Sequence, residues 1–413
     1  MKKVIALILS VVLCLGLFAG CSGEAETKTT EPKATTPAGT EGTAPEGTTP
    51  AATGEQTATY EGEFVIGMSG PLTGDAAIYG TAVKNAAEMA IDEINAAGGL
   101  YGYTFKLFAT DDQHDPTKVA VNYGSMLDEG VHVTLGTVTT KPGLEFKYLS
   151  QEDNIFFLTP SASGDDIPEY ENGFQMCFAD GDQGQVAADY VNSLGLTKIG
   201  VFFKADDPYS DGIYNNFKAA LNSDIEVVET KFTNANSTDF SAQITLLKEC
   251  SFVFMPIYYQ PAAIFMKQAK EIMPANAVYY GCDGFDGLAS EMDLATIPQE
   301  VSMLSHFDAS STEGKPGEFV AKYTEKYGAE TLNQFGASAY DCVYALYGAM
   351  KELLDEGKEV SPDMSASEIC DLLKAKFTGG YTFAEGATGT NVTWSEEGKV
   401  QKTATKFVLK EAD

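Results

Sequence analysis

The chain has 413 residues, of which 44% are hydrophobic and 21% charged, so it is a globular protein with room for two or three domains. Its 27 basic residues against 59 acidic ones give a formal charge of −32, which disfavours binding to nucleic acid or to anionic lipid through a basic patch. All 27 are lysines, so an anionic ligand would have to be held by backbone N–H groups and hydroxyls instead of a guanidinium fork.

Residues 1–20 are predicted to be a lipoprotein signal peptide. Two lysines at positions 2 and 3 precede an apolar stretch over residues 4–18 that is too short to span a membrane comfortably. The stretch ends in Leu-Phe-Ala-Gly-Cys, which resembles the bacterial lipobox, with Cys21 as the lipidated residue. A secretory signal that is cleaved without lipidation is the alternative. The sequence therefore predicts an exported protein, lipid-anchored on the extracytoplasmic face of the cell membrane.

Residues 21–61 are predicted to be a disordered linker. The segment is rich in Thr, Ala, Glu, Gly and Pro and has almost no large apolar side chain, so it cannot bury enough surface to fold. A flexible coil of about 40 residues spans roughly 35 Å. We expect it to act as a leash that holds a folded protein away from the membrane.

The remaining cysteines and histidines give no metal or redox signature. An odd number of cysteines remains after the signal segment, none of them in a CxxC pair, so buried free thiols are expected. The histidines are scattered and form no HExxH pattern. We therefore expect no metal ion and no cofactor. The residues are Cys177, Cys250, Cys282, Cys342, Cys370, His114, His132 and His306.

Strands and helices alternate from residue 64 onward. In the first block, strands are predicted over 64–68, 103–109, 131–135 and 155–158, and helices over 83–94, 115–129 and 144–152. In the second block, strands are predicted over 199–203, 225–230, 252–257 and 278–280, and helices over 211–221, 240–249 and 261–273. Helices over 315–327 and 337–355 and strands over 391–394 and 403–409 follow. Repeated βα units with short apolar strands predict two α/β lobes with parallel sheets.

Ligands of open parallel sheets bind beyond the carboxyl ends of the strands. In the first block these ends carry hydroxyls and backbone N–H groups, within 69–80, 136–140 and 159–163. In the second block they carry aromatic side chains and acids, within 206–209, at 258–259 and at Asp283. Donors for a carboxylate, an acid for an ammonium group and an apolar surface together suit an amino acid, although any single hydroxyl can equally be a cap or turn former.

Enzyme motifs are missing or incomplete. The sequence has no GxSxG, no P-loop and no GxGxxG after a strand, and 180–184 is too incomplete for a calcium loop. The acids at 111, 112 and 115 suit turns and caps better than a metal site. We therefore expect a binding protein and not an enzyme.

The segments 64–74, 92–102 and 111–119 together resemble the branched-chain amino-acid-binding proteins of ABC importers. The similarity continues through 136–163, 183–184, 252–269 and 339–341. The resemblance implies a type I periplasmic-binding-protein fold, with two Rossmann-like or flavodoxin-like lobes joined by a hinge of three crossovers. The first lobe would comprise 62–179 and 306–388, and the second 180–305 and 389–413.

The resemblance also implies a role for each candidate site residue. The ligand carboxylate would be bound by Thr140, Ser161 and Ser163, and the ligand ammonium by Asp283. Tyr209 and Tyr258 of the second lobe would close over the ligand, and Tyr79 and Phe335 would line the side-chain pocket. Two departures from the family concern this pocket. Many leucine-binding relatives have Glu where Asp283 stands, and a cysteine pair of some relatives is replaced by His114 and Thr139.

The expected function is therefore that of the substrate-binding lipoprotein of an ABC importer, a monomer that captures leucine, isoleucine or valine and delivers it to a membrane permease. The alternatives are a ligand-sensing receptor domain of the same fold, or an importer protein for another amino acid, a short amide or a small aromatic acid. No nucleic acid is expected as a partner.

Overall fold

The computed structural model describes residues 60–412. The predicted signal peptide, the lipidation site Cys21 and nearly all of the linker lie outside the described residues. The strands are β1 (Glu63–Gly70), β2 (Thr104–Asp111), β3 (Val133–Thr137), β4 (Phe157–Thr159), β5 (Gly173–Gln175), β6 (Lys198–Lys204), β7 (Glu226–Phe232), β8 (Phe252–Met255), β9 (Val278–Gly281), β10 (Glu300–Ser305), β11 (Phe383–Glu385), β12 (Thr390–Val392) and β13 (Thr405–Lys410). The helices are α1 (Ala77–Ala96), α2 (Val119–Glu129), α3 (Thr140–Glu152), α4 (Asp180–Ser193), α5 (Pro208–Ala220), α6 (Ser241–Leu247), α7 (Tyr259–Ala269), α8 (Leu288–Glu291), α9 (Gly314–Tyr327), α10 (Gln334–Asp355) and α11 (Ala366–Thr378).

The first sheet has the order β2-β1-β3-β4-β5, and all of its strands are parallel. This is the flavodoxin-like order, in which the direction of winding reverses between β1 and β3. Helix α1 buries the predicted apolar stripe and packs against α10. Because both faces are covered by helices, β1 and β3 are almost fully buried.

The second sheet has the order β13-β10-β9-β8-β6-β7. Its first five strands in the chain repeat the flavodoxin-like arrangement and pair in parallel. The edge strand β13 is the exception, because it pairs antiparallel with β10. The prediction of two α/β lobes with parallel sheets is thus confirmed, with one antiparallel edge strand added.

The chain passes between the two sheets three times. It leaves the first sheet after β5, returns after β10 to form α9, α10 and α11, and enters the second sheet again at β13. Trp394 Nε1 donates to the carbonyl of Gln175 at 2.7 Å, and Lys399 forms an ion pair with Asp165 at 2.8 Å. These contacts hold residues 394–399 against the first sheet, although the predicted boundary assigned everything from 389 onward to the second lobe.

A cluster of buried polar groups lies where α10 meets the last crossover. We call Asp341, Ala387, Thr388 and Lys402 the crossover cluster. The Asp341 carboxylate accepts the backbone N–H groups of Ala387 at 2.7 Å and Thr388 at 2.8 Å, and also the Thr388 hydroxyl. The enclosed ammonium group of Lys402 donates to the same hydroxyl. This cluster ties the C-terminal segment to α10.

Several element boundaries differ from those expected from the sequence. Helix α3 begins at Thr140, four residues before the predicted start, because Pro142 and Gly143 are tolerated in its first turn. The predicted helix at 115–129 opens with a 3-10 turn over Pro116–Lys118, capped by the Asp115 carboxylate, before α2 begins. The sequence reading missed six elements, which are β5, α4, α8, β10, α11 and β11.

The core and surface agree with the composition. The five cysteines from Cys177 to Cys370 are buried free thiols, as predicted. None of the helices within residues 60–412 combines the length and apolar composition that a membrane span requires.

Candidate functional site

The two sheets meet at a cleft that contains a small enclosed cavity, which we call the inner cavity. Its volume is about 10 Å³, and its lining includes all eight side chains predicted for the ligand site. The structure therefore brings these residues together, while the role of each stays a prediction. The lining residues are Tyr79, Val138, Thr139, Thr140, Ser161, Ser163, Tyr209, Tyr258, Asp283 and Phe335.

One wall of the inner cavity consists of hydroxyls from the first sheet. Thr140 opens α3, directly after the loop that follows β3, and Ser161 and Ser163 follow β4. The Thr140 hydroxyl is buried and has no hydrogen-bond partner among the described residues. A buried hydroxyl without a partner is costly, and a helix N-terminus attracts negative charge. This wall is therefore suited to a ligand carboxylate.

The opposite wall carries the carboxyl group of Asp283. This residue follows β9 and starts a 3-10 turn, and only 2% of it is exposed. Its Oδ1 accepts the Tyr209 hydroxyl at 2.6 Å, and its backbone N–H donates to Gln183 Oε1 at 3.1 Å. Burial raises the pKa of Asp283 to about 6, against the lowering effect of hydrogen bonds to its carboxyl from Tyr209, Gln183 and the backbone N–H of Gly284. A cation placed beside this carboxyl would favour its ionised form.

Aromatic rings close the inner cavity on the remaining sides. Tyr209 and Tyr258 are stacked with ring centroids 4.6 Å apart, and Tyr79 meets Phe335 edge to face at 4.7 Å. The Tyr79 hydroxyl donates to the carbonyl of Gly284 at 2.6 Å, which joins the two walls directly. The cleft in this structure is therefore closed.

Two polar residues behind the cavity were missed from the sequence. Asp180 and Gln183 lie in the first turn of α4, where we read only an incomplete calcium loop. Asp180 is buried and hydrogen-bonds to Ser163, and its pKa is raised well above the usual value by burial and then by the charge of Asp283. The available signal was the position of these residues at the start of a helix on the first crossover.

His114 and Thr139, which replace the cysteine pair of some relatives, are in contact. His114 Nδ1 lies 2.9 Å from Thr139 Oγ1, and its ring meets Tyr258 edge to face at 5.3 Å. On its other side, His114 Nε2 lies 3.6 Å from Asp207 Oδ2 of the second lobe. The two residues thus form a polar contact at the rim of the cavity.

A larger pocket adjoins the inner cavity on the far side of His114 and Tyr258. We call it the outer pocket, and its volume is about 350 Å³. Residues of both lobes line it. They are Asp75, Ala76, His114 and Lys141 of the first lobe, and Lys204, Asp207, Ser210, Phe232, Asn234, Ser237, Thr238, Ile257, Tyr258, Gln260, Pro261 and Ile264 of the second. No metal site accompanies either space, since within the described part of the chain no three His, Cys, Asp or Glu side chains could jointly hold an ion.

Comparison with known families gives one match that spans nearly the whole described chain. Residues 63–404 match the family described as periplasmic binding protein. The Leu/Ile/Val-binding protein homolog 1 of Brucella abortus is 30% identical over 326 residues, which cover 76% of this chain and 83% of the relative. The Leu/Ile/Val-binding protein BraC3 of Rhizobium johnstonii is 31% identical, but the match covers 54% of this chain and only 62% of the relative.

Solved structures show the same fold at lower identity. The leucine-binding protein LivK of Thermotoga maritima superposes with a TM-score of 0.72 at 22% identity, covering 84% of this chain and 95% of its own. The LivJ protein of Streptococcus pneumoniae, in complex with isoleucine, superposes with a TM-score of 0.71 at 24% identity. The superposition covers 85% of this chain and 96% of LivJ. A solute-binding protein of R. palustris in complex with benzoate superposes with a TM-score of 0.72 at 18% identity. The superposition covers 84% of this chain and 93% of that protein. These neighbours are binding proteins that share one fold.

Proposed function

Because the chain belongs to the periplasmic binding proteins, and among them to the branched-chain amino-acid-binding group, we propose that it captures an amino acid for an ABC importer. Leucine, isoleucine and valine are the leading ligands. The prediction that the chain is not an enzyme agrees with its relatives and structural neighbours, which are substrate-binding proteins. Delivery of the ligand to a membrane permease follows from the same proposal.

One observation carries this proposal. On one wall of the inner cavity lies the Thr140 hydroxyl, which has no hydrogen-bond partner among the described residues. On the other wall lies the buried carboxyl group of Asp283, and aromatic rings stand between the two walls. An α-amino acid carries complementary groups, since its carboxylate accepts hydrogen bonds, its ammonium pairs with an acid and its side chain packs on rings. We assign the carboxylate to Thr140, Ser161 and Ser163, and the ammonium to Asp283.

The proposed capture requires the two lobes to open and close about the three crossovers. The ligand groups are divided between the lobes, with Thr140 in the first and Tyr209, Tyr258 and Asp283 in the second. We propose the predicted division into 62–179 with 306–388 and 180–305 with 389–413, with one change. The boundary predicted at 389 is placed at about 400, because residues 394–399 contact the first sheet. Small-angle scattering should show a smaller radius of gyration with saturating ligand, and an unchanged radius would contradict the hinge.

We also propose that Cys21 anchors the protein to the outer face of the cell membrane and that residues 21–61 act as the leash. The lipobox-like sequence is the support. Cys21→Ala should release the protein from the membrane fraction, whereas Ser22→Ala should leave it there. A Cys21→Ala protein that stays with membranes after a carbonate wash would contradict the anchor.

The other candidates keep the same fold. A ligand-sensing receptor domain would bind without an importer, and the benzoate-bound neighbour keeps small aromatic acids among the possible ligands. We expect a monomer in either case. Genes for a permease and an ATPase beside this one would favour the importer.

The test of the proposal is a thermal-shift panel of the common amino acids, short amides and small aromatic acids, followed by calorimetry. A ligand present at 100 times its Kd should add about 2.7 kcal/mol to the free energy of unfolding. We expect stabilisation by one or more apolar α-amino acids. Stabilisation only by compounds that lack an amine would overturn the proposal.

A further inference from the structure

The two lobes meet along a short segment of the second lobe that lies shortly after β9. We call residues 283–287 the closing segment, which comprises the 3-10 turn Asp283–Phe285 and the two residues after it. Its first residue carries the carboxyl group proposed for the ligand's ammonium. Three of its other residues, Gly284, Asp286 and Gly287, approach the first lobe. The segment therefore belongs both to the ligand site and to the contact between the lobes.

The backbone of the closing segment makes the first of these contacts. The carbonyl of Gly284 accepts the hydroxyl of Tyr79, which lies in the first lobe, at 2.6 Å. At Gly287 the backbone has a φ of +143°, and a Cβ added there would lie 3.2 Å from Cγ2 of Ile78 on α1. This is closer than ordinary van der Waals contact, so only a glycine lets the backbone of one lobe lie directly against the other.

The side chain of Asp286 makes a second contact across the cleft. Its Oδ2 accepts the backbone N–H of Gln334 at 2.9 Å, and Gln334 is the first residue of α10 in the first lobe. Burial raises the pKa of Asp286 to about 6, against the lowering effect of the hydrogen bond from this N–H group, so the carboxyl is mostly ionised at neutral pH. An anion at this position also interacts favourably with the positive end of the helix dipole.

The start of α10 is thus capped from both lobes. Asn333 Oδ1, within the first lobe, accepts the N–H groups of Phe335 at 3.1 Å and Gly336 at 3.0 Å. The N–H of Gln334 has its acceptor in Asp286 of the second lobe. The first N–H groups of a helix have no partner within the helix, so each depends on such an acceptor. Opening of the cleft would therefore separate Gln334 from its acceptor, whereas the Asn333 cap would stay intact.

The closing segment is also tied to the ligand acid within the second lobe. The Tyr209 hydroxyl donates to Asp283 Oδ1 at 2.6 Å and accepts the Gly284 N–H at 2.9 Å. The acid and the backbone that reaches the first lobe are therefore held in one arrangement. Asp286 itself lies outside the lining of the inner cavity, so it can act on a ligand only through the position of this segment.

We propose that Asp286 is a positioning residue that stabilises the closed cleft by capping α10 from the opposite lobe. The contact forms when the closing segment reaches the first lobe, after the ligand has entered. Asp286 therefore slows release of the ligand and leaves its entry unchanged. This inference rests on the proposed function, because closure around a ligand is part of that proposal.

Stopped-flow binding with leucine, isoleucine and valine as probes tests this role. In Asp286→Ala the dissociation rate of each probe that binds should rise by the same factor, about fivefold or more, because the lost hydrogen bond involves a charged group. The association rate should stay within about twofold of wild type. Asp286→Asn, which keeps an acceptor oxygen without the charge, should recover part of the loss.

The matched control is Asp293→Ala. Asp293 is an exposed acid that caps a 3-10 turn within the second lobe, where its Oδ1 accepts the Ala295 N–H at 3.0 Å. This variant removes the same kind of cap without affecting the contact between the lobes, so both rates should match the wild type.

A purely structural role for Asp286 predicts a different result. An Asp286→Ala protein that melts at a lower temperature but keeps the wild-type dissociation rates would overturn the positioning role and leave the proposed function standing. If none of the three probes binds, the proposed ligands are wrong, and the ligand-free protein decides the role of Asp286. Its radius of gyration from small-angle scattering should be larger in Asp286→Ala than in Asp293→Ala, and equal radii would overturn the positioning role.

Discussion

The cleft and the crossover cluster each enclose a carboxyl group, but the two groups have different surroundings. Asp341 in the crossover cluster accepts three hydrogen bonds from Ala387 and Thr388 and shares its enclosure with the ammonium of Lys402. Asp283 in the cleft is surrounded by hydroxyl, amide and backbone N–H groups, and its nearby charges are other acids. Burial raises the pKa of both carboxyls.

The difference teaches how to tell a structural buried acid from one available to a ligand. A buried charge is stabilised by an opposite charge, and the Lys402 ammonium is linked to Asp341 through the Thr388 hydroxyl. Asp283 has no positively charged partner among the described residues, so the cationic group of a ligand would supply one. Substitution at the two positions should therefore separate stability from binding.

The largest expected effect is on binding by Asp283→Asn, which nearly preserves shape but removes the charge. Loss of one partner of a buried pair costs about 3–5 kcal/mol, so calorimetry should show amino-acid affinity reduced about 100-fold or more. Affinity within about threefold of wild type would reject Asp283 as the ammonium partner.

The same variant has a second, opposite signature in the ligand-free protein. A carboxyl whose pKa is raised on folding from 3.8 to about 6 makes the folded state less stable as pH rises through that interval. Asparagine is free of this penalty, so at pH 7 the ligand-free variant should melt at or above the wild-type temperature.

Asp341→Asn should have the reverse profile. The side-chain NH₂ group of asparagine would face the Thr388 N–H and hydroxyl that now donate to the carboxylate, and the nearby Lys402 ammonium would lose a favourable charge. The free energy of unfolding should therefore fall by about 1–3 kcal/mol in urea denaturation. The folded variant should bind ligand within about threefold of wild type. Adding Lys402→Met should recover part of the stability, and a variant that loses affinity without losing stability would contradict the structural role.

Thr140→Val tests the hydroxyl wall with a smaller effect. The buried Thr140 hydroxyl has no partner among the described residues, so an isosteric methyl should leave the ligand-free protein as stable as before or slightly more so. A hydrogen bond to a charged ligand group is worth about 1.5–3 kcal/mol, so affinity should fall at least tenfold. Thr104→Val, at the exposed start of β2, is the matched control. Unchanged affinity would remove Thr140 from the carboxylate site.

The smallest effect is the pH dependence of binding. If the ligand's ammonium pairs with ionised Asp283, affinity follows the ionised fraction of a group whose pKa is about 6 in the ligand-free protein. That fraction falls about tenfold between pH 7 and pH 5, so binding should weaken by about 1.4 kcal/mol over this range. Asp283→Asn should flatten the dependence, and a wild-type affinity constant with pH would contradict the pairing.

Much of the fold follows from hydrophobic periodicity alone. The predicted strands of both blocks and the long helices α1, α7, α9 and α10 are present, because each buries a continuous apolar stripe or run. Helix α11 was missed although Ser365 and Glu368 form a capping box that marks its start. Helix α4 was missed because Asp and Gly fill its first turn, and β5 is only three residues long.

The candidate site was predictable to the extent that strand ends define it. The residues that follow β3, β4, β8 and β9 all reach the inner cavity, since the carboxyl ends of parallel strands converge. Gln183 and Asp180 were not found, because their contact with Asp283 and Ser163 depends on where the first crossover places α4.

The antiparallel edge strand β13 has a consequence for how the chain folds. It pairs with β10 across about 100 residues of intervening sequence, most of which packs on the other sheet. The second sheet therefore cannot be completed until this intervening stretch has brought the last residues of the chain back to β10. Contacts of such long range slow folding, because loop closure precedes any gain from pairing. The two lobes are for this reason expected to refold as one cooperative and slow unit, and a chain truncated before Thr405 should leave β10 as an open edge that is prone to aggregation.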